Sequence, residues 1–172
     1  MAVRHQLIER APTALWTVLK DPSRFADWVV GTSNSAPREG RWPELGSSLT
    51  YTVKLGRKKA EGFTVVRRYE PPRYLELEAH AGEESARIAF DILPWGDDTL
   101  VIVDEHPLRG LSGSLHNTVL DALIQIRHRK MLSRLAQLVE EEAAASRPAN
   151  AGQRGDAPPP SAVTGNPQSR KR

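Results

Sequence analysis

The order of the predicted secondary-structure elements is the feature of this sequence that most restricts its fold. Residues 3–10 have the composition of a strand, and helical signals follow at 12–20 and between Ser23 and Gly31. A series of strand-like segments comes next, and the last predicted element is a long amphipathic helix. This order predicts an α+β fold in which a curved antiparallel sheet wraps around a long C-terminal helix, with two short helices after the first strand.

The strands are predicted from residue alternation and from the turns between them. Apolar and polar residues alternate in the first four of the following segments, and the fifth is apolar on both faces: 49–55, 63–69, 75–80, 87–92 and 99–105. Turn-forming residues separate these segments, which indicates an antiparallel meander. The segment 32–48 is rich in Gly, Pro, Ser and Asn, and we predict a loop there.

The last predicted helix covers residues 117–145. Its apolar stripe recurs every three or four positions and consists of Leu120, Leu123, Ile124, Met131, Leu135 and Leu138. From residue 146 the composition changes to Pro, Gly, Ala, Ser and Arg, which is typical of a disordered segment. Because 172 residues support one domain of ordinary size, we expect a single domain at 1–145 and a disordered tail at 146–172.

The charge pattern argues against nucleic acid as a partner of the folded body. Five cations and one carboxylate give the tail a charge of +4, which leaves about −1 for the rest of the chain. The high pI of about 9.4 is therefore a property of the tail and not of a binding face. The sequence contains no cysteine, which excludes disulfide and thiolate chemistry.

Neither a metal site nor a membrane span is predicted. None of the five histidines has the paired spacing of a zinc or iron site, and we expect no cofactor. No segment approaches the roughly 20 apolar residues of a membrane span, and residues 1–12 lack the apolar run of a signal peptide. These patterns predict a cytoplasmic protein without stable membrane insertion, as a monomer or a homodimer.

Four groups of residues carry a resemblance to a known superfamily. They are Ala11-Pro12, Leu15-Trp16, Leu19, Asp21-Pro22 and Trp28; Trp42-Pro43 and Leu45-Gly46-Ser47; Glu105 and Pro107; and Asn117, Asp121, Arg127, Leu132 and Arg134-Leu135. Across residues 3–142 the chain resembles the START-like (SRPBCC) superfamily, and within it the bacterial polyketide cyclase/dehydrase and lipid transport type. The resemblance implies a helix-grip fold with an apolar cavity between the sheet and the last helix. Superfamily members bind lipids, sterols, polyketides, quinones or plant hormones, and some are aromatase/cyclases.

The cavity lining follows from the inward phase of each strand. Both faces of segment 99–105 are apolar, so its residues leave the phase open, and the resemblance favours Thr99, Val101, Val103 and Glu105 as the inward set. The predicted ligand-binding residues are Trp28, Tyr51, Val53, Phe63, Val65, Arg67, Leu77, Ile88, Phe90, Val101, Val103, Leu123, Ile124, Arg127 and Met131. Such a lining favours a flat or elongated apolar molecule. In the alternative interpretation, these side chains only fill a solid core.

Four polar residues of the predicted site suggest chemistry, namely Glu105, Arg127, Tyr51 and Arg67. Glu105 is the candidate catalytic residue, with Arg127 as a partner across the cavity; a partnered carboxylate stays ionised, whereas an unpartnered one could serve as a general acid or base. A structural salt bridge or exposure at a strand end are the alternatives for Glu105. Tyr51 and Arg67 could hold a ligand carbonyl or phenolate, unless the Arg67 head reaches water while its stem lines the cavity.

Three functions are compatible with this sequence. The first is a carrier or sensor that binds a small apolar molecule. The second is a polyketide cyclase or dehydratase in which Glu105 and other polar cavity groups transfer protons. The third is a protein-interaction module without a small-molecule ligand.

Overall fold

The computed structural model describes residues 2–55, 58–81, 84–109 and 118–146, and within these ranges the side chains other than those at 2, 54, 55, 58, 84, 109 and 118–127. Apart from Ser146, the predicted tail lies outside the described residues. The strands are β1 (Ala2–Ile8), β2 (Thr32–Glu39), β3 (Ser48–Leu55), β4 (Lys58–Glu70), β5 (Tyr74–Ala81), β6 (Glu84–Trp95) and β7 (Asp98–Arg109). The α-helices are α1 (Pro12–Leu19), α2 (Phe25–Trp28) and α3 (Thr118–Ala145), and a 3₁₀ turn at Pro22–Arg24 precedes α2.

The seven strands form one curved antiparallel sheet in the order β1-β7-β6-β5-β4-β3-β2. Strands that follow one another from β2 to β7 are neighbours, so the predicted meander is confirmed. The first strand pairs with the last, with Ala2 opposite Glu105 and Ile8 opposite Thr99. The hydrogen-bonded ladder between β1 and β7 therefore joins two segments that are about 100 residues apart in sequence.

The helices cover the concave face of the sheet. Helix α3 has 28 residues, or about 42 Å at 1.5 Å per residue, and it packs against β1, α1 and α2. From residue 128 onward, where its side chains are described, the buried stripe consists of His128, Met131, Leu132, Leu135, Ala136 and Val139. Helix α1 buries Leu15, Trp16, Val18 and Leu19. This arrangement confirms the predicted α+β helix-grip architecture.

Strand β2 lies where a loop was predicted, so the prediction for residues 32–39 is wrong. Asn34 has a positive φ of 55°, and the register against β3 shifts between Ser33 and Ala36 and again between Pro37 and Glu39. An edge strand tolerates proline and bulges because only one of its sides must pair. The turn-rich composition therefore describes an irregular edge strand.

The inward phase predicted for β4 is also wrong. Residues directly opposite in a ladder share a face, and the buried Leu49 and Tyr51 of β3 oppose Thr64 and Gly62. Phe63, Val65 and Arg67 consequently lie on the convex face. Both phases of β4 carry apolar residues, so alternation alone does not distinguish them.

Gly62 accounts for the observed phase. A Cβ atom at this position would lie 2.6 Å from Cε2 of Tyr51 and 2.9 Å from the carbonyl oxygen of His80. The Tyr51 ring thus occupies the space in which any other residue would place its side chain. The bulge between Val66 and Arg68 shifts the alternation of inward and outward residues by one position. Tyr69, three positions after the buried Val66, therefore also packs against the core.

We expect Gly62→Ala to destabilise the fold by about 2 kcal/mol, because the added methyl group overpacks a backbone contact. Urea denaturation followed by tryptophan fluorescence measures this loss. In a Tyr51→Ala background the cost of Gly62→Ala should be smaller, since the ring is gone while the His80 carbonyl remains. An equal cost in both backgrounds would show that the Tyr51 ring is not what selects glycine.

Candidate functional site

The concave face of the sheet carries the predicted inward residues of β7. Thr99, Val101 and Val103 are fully buried and Glu105 is 8% exposed, whereas the intervening residues are only partly buried. The residues of β7 alone do not decide which of its faces points inward. In the structure, the face that carries Glu105 points inward. Glu105 lies opposite Ile88 of β6, which is also buried on this face.

Most of the predicted lining residues with described side chains lie in the layer between the sheet and the helices. These are Trp28, Tyr51, Val53, Leu77, Ile88, Phe90, Val101, Val103 and Met131. The side chains of Leu123, Ile124 and Arg127 lie outside the described residues. For the nine residues of this layer, contact with a ligand stays a prediction.

Three predicted lining residues do not belong to the concave site. Phe63 stacks on His80 with a ring-centroid distance of 4.4 Å, and Nε of Arg67 donates to Oε2 of Glu78 at 2.7 Å. These contacts lie on the convex face, to which Val65 also belongs. The predicted pair of Tyr51 and Arg67 on one ligand group is therefore wrong, because the sheet separates the two side chains. The Tyr51 hydroxyl donates to the carbonyl oxygen of Phe63 at 3.2 Å.

Glu105 and His128 form a buried pair that joins β7 to α3. Nε2 of His128 is hydrogen bonded to Oε2 of Glu105. His128 is fully buried, and the two residues are 23 positions apart in sequence. Arg127, the predicted partner of Glu105, precedes His128 on the helix, and the partner among the described side chains is the imidazole. The inward carboxylate thus lies at the junction between the sheet and the C-terminal helix.

His128 is the site residue that the sequence interpretation missed. Its spacing to the other histidines predicts no metal site, but the apolar stripe of α3 has a gap of seven positions between Ile124 and Met131. His128 fills this gap, four positions after Ile124 and three before Met131, which are the spacings of one helix face. An imidazole on the buried stripe of a helix was the signal for a functional or structural pair.

Two buried nitrogen atoms of this layer, one of them in the pair itself, have no hydrogen-bond partner among the described residues. They are Nδ1 of His128 and Nε1 of Trp28, and the two side chains are 0% and 1% exposed. The Trp28 ring contacts Phe90 at a centroid distance of 5.8 Å, and Phe90 lies opposite Val103, two residues from Glu105 on the same face. Both atoms therefore belong to side chains of the layer between the sheet and the helices. Buried polar groups are nearly always paired with protein, ordered water or a ligand, so these two atoms are candidate contact points for a bound molecule.

The convex face carries ion pairs. Glu78 contacts both Arg67 and His80, and Arg87 lies 3.6 Å from Asp104, which also binds His106 at 2.7 Å. All of these side chains are at least 22% exposed, and partly exposed pairs contribute little to stability. Among the described residues, no group of three or more His, Cys, Asp or Glu side chains is placed to hold a metal ion.

A depression of about 440 Å³ lies at the turn between β4 and β5. It is lined by Arg68, Glu70, Pro71, Arg73, Tyr74, Asp91 and Leu93. Arg68 binds both carboxylate oxygens of Glu70, at 2.7 and 2.9 Å, and lies 4.4 Å over the Tyr74 ring. The hydrogen bond raises the pKa of Arg68 and lowers that of Glu70. These two charges therefore neutralise each other, and the concave layer is the better candidate site.

No helix in the part of the chain that the structure describes is long and apolar enough to cross a membrane. The sheet, the two short helices and the long final helix define a START-like fold. A START superfamily protein from Mycobacterium smegmatis has a TM-score of 0.67 at 16% identity, with 82% of this chain and 97% of that chain covered. The Thermus thermophilus protein TTHA0849 has a TM-score of 0.66 at 16% identity, with 85% and 99% covered.

A third similar structure comes from a biosynthetic locus. DynU16, a protein of the dynemicin biosynthetic locus, has a TM-score of 0.61 at 19% identity, with 82% of this chain and 47% of DynU16 covered. At these identities the likeness establishes the fold, and the activity has to be argued from the site. No protein-family profile matches the chain, and no curated protein matches it.

Proposed function

We propose that this protein binds a small apolar molecule between the concave face of the sheet and α3, as a carrier or a sensor. The observation that carries the proposal is that two nitrogen atoms, Nδ1 of His128 and Nε1 of Trp28, have no partner among the described residues in a mainly apolar layer. Ligand sites are typically apolar, with a few polar groups that orient the ligand. A molecule with an apolar body and one polar end satisfies both features.

The free-energy cost of unpaired buried groups favours a bound ligand over a core that contains no ligand. A buried donor or acceptor without a partner costs about 1–3 kcal/mol, and two such groups occur in the layer between the sheet and the helices. A bound polar group removes this cost, so that part of the binding free energy is already stored in the free protein. The fold supports the same function by analogy, because the similar structures include a START superfamily protein and a protein of the dynemicin biosynthetic locus.

The second candidate function is that of a polyketide cyclase or dehydratase. The Glu105–His128 hydrogen bond favours it, because a carboxylate that orients a buried imidazole is a recurrent arrangement in general acid–base catalysis. In this mechanism His128 takes or gives a proton at Nδ1, and Glu105 stabilises the imidazolium form. Glu105→Gln separates the two functions, since ligand binding should survive the change whereas turnover should fall.

We expect the purified full-length protein to take up one equivalent of an apolar molecule. Native mass spectrometry with a panel of fatty acids, quinones and aromatic polyketides measures the uptake. Val103→Phe should weaken binding at least about tenfold, because Val103 is fully buried on the concave face and a larger ring fills the ligand space. The matched control is Ile102→Phe, whose side chain lies on the opposite face of the same strand.

Circular dichroism of both variants verifies that the fold is retained. Protein that is free of ligand when purified and takes up no member of the panel would contradict the proposal. Equal binding by the Val103 and Ile102 variants would place the ligand outside the concave layer.

A further inference from the structure

We propose that the ligand presents a hydroxyl group as its polar end, and that Nδ1 of His128 accepts the hydroxyl proton in a hydrogen bond. This inference rests on the proposed binding function and specifies the chemical class of the ligand. It follows from the hydrogen-bonding capacity of three groups, namely Glu105, His128 and Trp28.

Glu105 determines which nitrogen of His128 is available. An ionised carboxylate only accepts hydrogen bonds, so Nε2 of His128 must carry the proton in their shared bond. In a neutral imidazole the other nitrogen is then an acceptor. Nδ1 is the atom without a partner among the described residues, and the site consequently offers a buried acceptor to the ligand.

The packing of His128 keeps this acceptor in place. The side chain is 0% exposed, and Met131 and Leu132 on the next turn of α3 are each 1% exposed. An imidazole in such surroundings cannot turn toward solvent to satisfy Nδ1 with bulk water. A ligand without a donor group would leave the acceptor unpaired, and the site rejects such a molecule by the cost of that unpaired group.

The indole of Trp28 requires a hydrogen-bond acceptor, whereas Nδ1 of His128 requires a donor. Its indole N–H only donates, and it is buried without an acceptor among the described residues. A hydroxyl group donates one hydrogen bond and accepts others, whereas a ketone, ester or ether oxygen only accepts. Nδ1 of His128 therefore selects an apolar molecule with a hydroxyl group over the corresponding ether or hydrocarbon, and the indole N–H of Trp28 favours a ligand that also carries an acceptor.

Three matched probes test this selectivity: 2-naphthol, 2-methoxynaphthalene and naphthalene. They share one apolar body and offer respectively a donor with an acceptor, an acceptor alone, and neither. Calorimetric titration of the full-length protein at about pH 8, where imidazole is ordinarily neutral, measures the three affinities. We expect 2-naphthol to bind about tenfold more tightly than its methyl ether, the factor that corresponds to one added buried hydrogen bond.

The variant His128→Phe should abolish the preference for 2-naphthol and retain the binding of naphthalene. The matched control is His106→Phe, because His106 is paired with Asp104 on the convex face and should leave the preference unchanged. Nitrogen-15 NMR of the wild-type imidazole provides a readout that needs no variant. The expected spectrum has a pyridine-type Nδ1 and a protonated Nε2.

The outcomes separate this inference from the proposed function. Equal binding of the three probes, or a protonated Nδ1 in the NMR spectrum, would overturn the hydroxyl inference while the apolar site stands. A failure of all three probes to bind would overturn the apolar site itself and the inference with it.

Discussion

Replacement of His128 by leucine is expected to lower the free energy of unfolding by about 3 kcal/mol, because it leaves the Glu105 carboxylate buried without its imidazole. Leucine fills a similar volume and suits the apolar stripe of α3, so the loss reports the missing polar partner and not a cavity. Chemical denaturation of the full-length protein measures it.

The double variant His128→Leu/Glu105→Met should recover at least about 1 kcal/mol of this loss, since both members of the buried pair are then replaced by apolar groups. His106→Leu is the matched control. His106 is also paired with a carboxylate, that of Asp104, but the two side chains are 32% and 25% exposed. We expect the control to cost less than about 1 kcal/mol. Equal losses at His106 and His128 would show that burial of the Glu105 pair does not determine its contribution.

We expect Trp28→Ala to lower the free energy of unfolding by about 4 kcal/mol, because a large buried side chain is removed from the core. Trp28 is 1% exposed, and its ring makes edge contacts with Phe25 at 5.1 Å and Phe90 at 5.8 Å. Its removal leaves a cavity between α2 and the sheet. Thermal unfolding followed by circular dichroism measures the loss.

Trp95→Ala is the control for this experiment, because Trp95 is 63% exposed at the end of β6. We expect its effect to stay within about 0.5 kcal/mol. If a bound apolar molecule contacts Trp28, its addition should raise the midpoint of the wild type and have less effect on Trp28→Ala. A loss at Trp28 as small as that at Trp95 would contradict the assignment of Trp28 to the core.

The strands that were predicted correctly have one buried and one exposed face. In β5 the buried Leu75 and Leu77 alternate with the partly exposed Glu76 and Glu78, so the period of two is read directly from the residues. The amphipathic stripe of α3 is equally local, since its three- and four-residue spacing needs no information from the sheet. Both patterns arise from the burial of one face.

The predictions that failed concern residues whose surroundings come from distant parts of the chain. The strand at Thr32–Glu39 has turn-rich residues and exists because its backbone pairs with β3. The phase of β4 depends on the Tyr51 ring above Gly62, a contact across two strands. Neither relationship is visible in a local pattern of apolar residues.

The site residues differ in the same way, because one is recognisable from a local pattern and the other depends on a contact between distant segments. Glu105 was recognised from the polar end of an apolar strand, and its inward phase agrees with the resemblance that the sequence carries. His128 was not recognised, because its role depends on the position of α3 over β7. Nothing in the 22 residues between Glu105 and His128 specifies that the two side chains meet.

The sequence by itself determined the order of the elements, the period of most strands and the START-like architecture that this order implies. These features depend on interactions between residues close in the chain, or on which face of an element is apolar. Only the tertiary structure decided the phase of β4, the pairing of β2 and the contact between Glu105 and His128. Each of these depends on contacts between segments that are distant in sequence, and such contacts are selected by the packing of the whole sheet against its helices.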